Sequence, residues 1–587
     1  MSDKILDKTL DLIFSKNNLK YLLILFILAL TLRGIVANNV GPNADEMLHA
    51  PHAIDFINSG KLQIMDQDPV WFFLTDLSYK IFGVSMFSAR FLAVLFGALS
   101  VLVLYLIVKN VYNKKIALIA SILLTFSSFH ILMSLAEMDV AMMFFVLLSI
   151  LLFIKGLKEN NNKYLASSYV FLGIAILVKQ IAITFIPTLI IFFIYHKRKN
   201  KQKITLKHAF TFFIILLIIS LPVLTFNFLL YKDKGLVDLQ FSRFLGIATE
   251  TYAPIAATLK PFSLRDVFFS YESHKPGIIE GSAFFWNFGK LITVLGILGF
   301  ILSVLRRKKY TLLWFLTFIF PFIFLSGTSI LEYHFIFGVP ILSIFAALFI
   351  NYSSNKISSL NIKKNHIIAI ILAFVIIFNL YFILDRGVLT QKSEVTKLMS
   401  YSKNSIDPDA LVIVDNRIFR GRTVWMFNDK HYLEAAAFNT ITAQINDIPG
   451  TPTTLRTYFI ECVTDDCGWG TIASQPELNE SMEQITTFFK ENANLETTIT
   501  NRENDPYISV YSGNLQLKDS LLQIADSTHE WFYYPLRFEP AERVFDNYKT
   551  NNLFEKFLNL IGHIVLYIEI LIALFSIVLV FYLIRKE

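Results

Sequence analysis

Charge is scarce in this chain. Only 17% of its 587 residues are Asp, Glu, Lys or Arg, against about a quarter in ordinary soluble domains. A water-soluble protein of this length would divide into several domains with charged surfaces, so that class is excluded first. Cysteine is scarcer still. Cys462 and Cys467 are the two, too few for a structural zinc cluster, and their closeness favours a local disulfide if that region meets an oxidising compartment. The sequence has no Gly-x4-Gly-Lys-Ser/Thr phosphate loop and no internal repeat of the kind built into many transporters. Asp407-Pro408-Asp409 imitates a metal-binding Asp-x-Asp, but its proline and the strand candidate behind it make it a turn.

What is abundant is apolar sequence in long runs. The chain is 54% hydrophobic with a mean hydropathy of +0.53, and a helix needs about 20 apolar residues to cross a bilayer. Twelve spans follow: Tyr21–Ala37, Phe87–Val108, Ile116–Met133, Val140–Ile154, Tyr164–Leu177, Ile181–Tyr195, Ala209–Leu230, Phe285–Leu305, Leu312–Leu325, Phe335–Ile350, Ile367–Leu384 and Phe557–Leu583. The run after the lysine-bearing N-terminus lacks a small-residue cleavage site, so it reads as a retained span. Lysines and arginines fall on alternate sides of successive spans, at Lys114-Lys115, Lys155 to Lys163, His196 to Lys199, Arg306 to Lys309, Lys363-Lys364 and Arg585-Lys586. All therefore share one face, which the positive-inside rule makes cytoplasmic, together with the N-terminus. This explains the net charge of +7 without nucleic acid, and no nucleic-acid partner is expected.

The expected fold is a polytopic α-helical membrane protein of about 12 transmembrane helices, with a small α/β extracytoplasmic domain before the last helix. Residues 1–385 form the membrane module, 386–556 the extracytoplasmic domain and 557–587 the C-terminal helix. A helix-like stretch at Glu394 to Ser402 and strand candidates at Ala410–Val414 and Tyr507–Tyr511 give the polar region its α/β character.

Four short groups interrupt apolar sequence on the expected outer face: Asp45-Glu46, Glu137-Met138-Asp139, Lys179-Gln180 and Glu332-Tyr333-His334. An ionisable residue there costs several kcal/mol unless it is paired or lines a wet cavity. Any one of them alone reads as a helix cap at the dipole end or as a snorkelling side chain. Convergence on one cavity satisfies them all.

These residues carry a family resemblance. Asp45-Glu46-Met47-Leu48-His49-Ala50, running on to Ile57-Asn58-Ser59-Gly60, resembles the first external loop of GT-C glycosyltransferases, above all the protein O-mannosyltransferases and the lipid A aminoarabinose transferases. Tyr79 to Ser85 with Ala89-Arg90-Phe91, and Leu172 to Lys179, resemble that family's second- and fifth-span segments. The likeness is good over roughly the first 200 residues and negligible across the polar domain. It departs at Asp68-Pro69-Val70-Trp71, where the family often has a proline pair, which leaves the acceptor groove's shape open. The resemblance implies transfer of a sugar from a polyprenyl-phosphate carrier to a lipid, glycan or protein acceptor on the outer face, with Asp45 acting on the acceptor.

The chemistry suits the residues. A glycosyl phosphate carries its own leaving group, so a base and phosphate-holding cations suffice, and a single displacement inverts the anomeric carbon. Asp45 is the candidate base, with Glu46 tuning or orienting it. Lys179, Arg243 and Arg265 are candidates for the donor phosphate, and Glu137, Asp139, Glu332 and His334 for substrate binding. The residues point to no particular cofactor, and a divalent metal stays open. His49 and His52, with Asp45 or Glu46, could hold a divalent metal, although a headgroup-facing pair is the simpler reading. Asn479-Glu480-Ser481 is a glycosylation sequon. Two rivals remain at this stage: a transporter or flippase, which calls for charges at mid-span depth, and a noncatalytic assembly subunit.

Overall fold

A computed structural model describes residues 19–43, 45–59, 69–135, 137–201, 203, 206–235, 237, 241, 267–268, 277–328, 331–358, 363–418, 420–443, 446–464, 467, 476–528 and 548–586. Each of the twelve predicted segments falls on helix, the third and the seventh in two pieces each. The membrane part runs through α1 (Leu19–Asn39), the short α2 (Glu46–His52), α3 (Pro69–Phe82), α4 (Met86–Val111), α5 (Lys114–Thr125) and α6 (Ser128–Leu132). It continues with α7 (Asp139–Glu159), α8 (Asn162–Val178), α9 (Ile186–Lys199), α10 (Leu206–Ile219), α11 (Leu221–Lys234) and α12 (Gly277–Leu305). Then come α13 (Thr311–Ser326), α14 (Gly338–Ile357) and α15 (Lys364–Asp385). Tight 3-10 turns, Gln180–Phe185 and Glu332–Phe337, lead into α9 and α14.

Among the described residues, 8 helical segments are long and apolar enough to span a bilayer, and α10 with α11, bent by 55°, makes a ninth. α8 and α13 are apolar but shorter. The chain is an integral, multi-pass membrane protein. Its layering is visible in what each helix hides: α7 is buried all round, whereas α15 turns Ile370, Phe374, Ile377 and Tyr381 outward on one face. In water that stripe would be an aggregation surface; against lipid it is the expected exterior.

The third predicted span is not continuous. It breaks between α5 and α6, where the Ser127 hydroxyl caps the second piece by accepting from the His130 amide. A break inside a bilayer frees carbonyls that lipid cannot satisfy. Arg33 of α1, fully buried, supplies the donors, reaching the Leu124 carbonyl at 3.0 Å and the Thr125 carbonyl at 3.3 Å. It also donates to His130 Nδ1 through Nε and Nη2. A guanidinium only donates, so Nδ1 is bare and the His130 proton sits on Nε2.

The polar region continues with α16 (Glu394–Ser405), β1 (Leu411–Val414), α17 (Arg420–Met426), β2 (His431–Glu434), α18 (Ala435–Ala443), β3 (Pro452–Cys462) and α19 (Pro476–Asn492). β4 (Asn494–Thr500), β5 (Pro506–Lys518) and α20 (Ser520–Thr528) follow, and α21 (Leu553–Lys586) is the last helix. The sheet order is β2-β1-β3-β5-β4, with β1 parallel to both neighbours and the β3–β5–β4 side antiparallel. β1 is apolar at every position because both faces are covered. Leu411 and Ile413 join a cluster with Phe459 and Phe489, while Val412 and Val414 join the main core. The expected helix and both expected strands are present, Asp407-Pro408-Asp409 is the turn before β1, and Cys462 is bonded to Cys467. The sequon lies in the first turns of α19.

This region is tied to the end of α1. The Asn39 carbonyl accepts from the Ser393 amide and from Arg502, the Asn39 side-chain amide donates to the Val388 carbonyl, and Thr396 donates to the Asn38 carbonyl. The segment that carries Asp45 therefore starts from a clamped point.

Candidate active site

Helix ends build the site. Asp45 stands just ahead of α2, Asp139 opens α7, Lys179 closes α8, and Tyr333 and His334 lie in the 3-10 turn before α14. The Tyr333 hydroxyl donates to Asp45 Oδ2 at 2.5 Å, and the Lys179 ammonium lies 5.7 Å from the centre of the Tyr333 ring. Lys179 Nζ donates to Asp139 Oδ2 at 2.7 Å. His334 Nδ1 is 3.1 Å from Lys179 Nζ and 3.2 Å from both Asp139 oxygens. That nitrogen can accept from the ammonium when bare or donate to the carboxylate when protonated, but not both at once. Within electrostatic reach of Asp45 and Lys179, His49 Nδ1 meets Glu137 Oε2 at 3.2 Å. Asp45, Glu137, Asp139, Lys179 and His334 thus share one cluster, with Tyr333 as the bridge.

The electrostatics divide the carboxylates. Burial opposes the charge on Asp45, but His49, His334, the Tyr333 hydrogen bond and Lys179 outweigh it and hold its carboxyl below the usual range. Burial wins at Glu137, whose carboxyl is pushed up to about 7 although His49 pulls it down. Its Oε1 has no partner among the described residues. Asp45 is therefore the carboxylate whose charged form is favoured, and Glu137 the one whose proton is exchangeable near neutrality.

Other expected residues sit elsewhere. Glu46 was expected beside Asp45 in the chemistry. Instead it turns the opposite way, into Arg90, with Nε to Oε1 at 2.7 Å and Nη2 to Oε2 at 2.6 Å, both side chains fully buried. Arg90 gives its remaining donors to the carbonyls of Ala37, Val40 and Gly41, and Glu46 accepts from the Asn43 amide. All five guanidinium N–H groups are used. The reason for the different placement is the loop itself: its inward-facing carbonyls need a five-pronged donor, and that donor needs a counter-charge. Glu332 does not join the cluster but lines a neighbouring cleft. Arg243 and Arg265 lie outside the described residues. His52 sits edge-on to Phe72, with ring centres 5.4 Å apart, and His49 faces Glu137. Among the described residues no group of three or more His, Cys, Asp or Glu is arranged to hold a metal ion.

Sequence reading passed over Tyr333 and the partner of Glu46. Both had signals, since Tyr333 lies inside a singled-out triplet and Arg90 lies inside a resembling segment. An aromatic in an apolar run and an arginine at a span's start are simply too common to stand out.

The cleft adjoins this cluster. About 560 Å³ in volume, it opens between the loop leading to Asp45, the ends of α6 and α15, and the β4–β5 turn.

The family described as dolichyl-phosphate-mannose-protein mannosyltransferase matches residues 66–226. Over 84% of this chain and 98% of the other, the structure superposes on apo ArnT from Cupriavidus metallidurans, with 12% identity and a TM-score of 0.52. The chain resembles the GT-C glycosyltransferases. At 12% identity the ArnT likeness establishes the GT-C fold. A similar but looser match is the oligosaccharyltransferase of Archaeoglobus fulgidus, with a TM-score of 0.49, 12% identity, and coverage of 76% of this chain and 70% of that one. An uncharacterised protein of Aquifex aeolicus is 24% identical over 184 residues, 29% of this chain. The match takes in 37% of that relative's length.

Proposed function

We propose that this GT-C protein moves a sugar from a polyprenyl-phosphate carrier to an acceptor hydroxyl at the outer face of the membrane, with inversion at the anomeric carbon. The observation that carries the reading is the single constellation of Asp45, Tyr333 and Lys179 at the meeting point of four helix ends. It sets an ionised carboxylate and a cation against one tyrosine, which is the pairing a phosphate-leaving displacement requires. The description of the matching family, dolichyl-phosphate-mannose-protein mannosyltransferase, supports the donor class.

Asp45 takes the proton of the attacking hydroxyl, and its position is kept by Tyr333. Lys179 has three N–H donors; Asp139 takes one and His334 lies beside a second, leaving donor capacity for a phosphate oxygen. Asp139 keeps Lys179 charged and in place until the donor arrives. The new bond joins the acceptor oxygen to the anomeric carbon, the bond to the phosphate oxygen breaks, and the phosphate leaves with the electron pair. Its added charge falls on Lys179. The basic loops Lys197 to Lys199 and Arg306 to Lys309 lie at the opposite ends of the helices, which supports a cytoplasmic assignment for that face.

The test is a reconstitution of the full chain in proteoliposomes with radiolabelled dolichyl phosphomannose and host membrane lipids. Asp45→Asn is expected to lose transfer by about 10²–10⁴-fold, the usual yield of a general base, with its unfolding transition unchanged. Full activity in that variant refutes Asp45 as the base.

A further inference from the structure

The cleft beside the cluster is unused by the chemistry above, and its lining is informative. Two loops each give one residue to the cluster and one to the cleft. Asn43 lies two positions before Asp45, and Glu332 directly precedes Tyr333. The cleft therefore reaches to within two residues of the base along one loop and one residue of Tyr333 along another, on a side that Lys179 does not line. Resting on the transferase reading, this is the acceptor's side.

The lining also identifies the acceptor's chemistry. Its ionisable residues are Arg386 and Arg502 against Glu332, Asp385 and Glu503, two cations and three carboxylates with a formal balance of minus one. A site for a phosphate-rich headgroup would be cationic. Here planar carboxylate, guanidinium and amide groups alternate, with Asn43 and Gln391 among them. Each can grip a pair of neighbouring hydroxyls, the carboxylates by accepting, the guanidiniums by donating and the amides by doing both. One wall is apolar, formed by Leu132, Met133 and Leu135 at the end of α6 in the membrane part. A polyhydroxylated ligand with a membrane-facing end fits this division.

A peptide fits less well, because it would need exposed backbone partners. The turn that roofs the cleft uses its own: the Asn501 amide donates to the Asp505 carbonyl at 2.9 Å, and the Asp505 amide to the Asn501 side chain at 2.8 Å. What the turn offers instead is side chains. Arg502 is anchored on the Asn39 carbonyl while its buried Nε has no partner among the described residues. Glu503 is exposed beside it. The volume, about 560 Å³, lies in the usual small-ligand range of about 300–1,000 Å³.

We propose that the cleft between the 385–391 segment and the β4–β5 turn binds the carbohydrate part of the acceptor, a membrane-linked glycan, and that Arg502 and Glu503 select it. The polar region is then a specificity element, and transfer extends an existing glycan.

The two native cysteines are bonded to each other, so an introduced cysteine is the single thiol available for labelling. The full chain carrying Gln391→Cys, an exposed position in the cleft, is labelled with benzophenone maleimide in native membranes, irradiated and purified. The same is done with Glu491→Cys, exposed on α19 and outside the cleft. Mass spectrometry is expected to find a carbohydrate-bearing lipid on the first protein and none on the second. Adding Glu503→Ala to the first should lower the yield about tenfold, the worth of one charge-assisted hydrogen bond. A protein adduct, a sugar-free lipid adduct, equal adducts at both positions, or no adduct despite complete labelling each overturns the proposal. Capture needs no turnover. Failure of the transferase reading, seen as no sugar transfer in proteoliposomes, is thus distinguishable from failure of this one.

Discussion

Replacing Arg90 by methionine tests whether the loop before Asp45 is held by one side chain. The substitution removes two bonds to Glu46 and three to the carbonyls of Ala37, Val40 and Gly41. Glu46, with no exposed surface, is left as a buried charge without its partner. Breaking one side of such a pair costs about 3–5 kcal/mol, whereas replacing both sides with apolar groups is often neutral. Arg90→Met should therefore lower the thermal transition of the detergent-purified chain strongly. Arg90→Met with Glu46→Leu should recover the part that comes from the stranded Glu46 carboxylate, but not the part that comes from the three carbonyls. Activity should stay low in the double variant, because the three carbonyls still lack donors and Asp45 loses its fixed approach to Tyr333. Arg90→Lys should fall between, since an ammonium cannot imitate the fork. A double variant as unstable as the single one, or a single variant with an unchanged transition, would refute the staple.

Further outcomes follow from the same geometry. Transfer should depend on pH with a midpoint near 7 set by Glu137, and Glu137→Gln should remove that limb of the profile; a profile unchanged by the substitution contradicts it. Because that carboxyl is raised when folded, it binds its proton more tightly in the native state. Its contribution to stability is full below the unfolded value and is lost as pH rises through about 7, which thermal unfolding at pH 5 and 8 in wild type and Glu137→Gln would read. Lys179→Gln leaves Asp139 buried without its cation, so donor transfer should collapse; Lys179→Gln with Asp139→Asn should restore stability but not transfer, and restored transfer would remove Lys179 from phosphate binding. Arg33→Leu should destabilise the chain by about 3 kcal/mol or more, because the Leu124 and Thr125 carbonyls lose their donors inside the membrane; an unshifted unfolding transition would show the break is capped another way.

How much of this was legible in the sequence depends on the length scale of the signal. Span positions come from composition over about 20 residues, and the predicted segments fall on helices, two of them in two pieces. The break at Phe126-Ser127 was not legible, because its cause lies in Arg33, far back in the chain. In the polar region β1 was visible as Leu-Val-Ile-Val, buried on both faces. β4, Asn-Leu-Glu-Thr-Thr-Ile-Thr, has one exposed face and an edge position, so its polar residues hid it.

The site shows the same division. Isolated charges in apolar sequence pointed to Asp45, Asp139, Lys179 and His334, since a charge there is expensive and must be answered. Which charge answers which is a three-dimensional matter. Adjacent letters mislead here: Asp45 and Glu46 are neighbours in sequence, yet helix geometry sends consecutive side chains about 100° apart, so one reaches Tyr333 and the other Arg90. The acidic pair is thus two parts with separate duties, a reacting group and the anchor that aims it. A loop that must present one carboxylate to a substrate needs its neighbour turned inward, and Arg90 is the residue that makes inward burial tolerable.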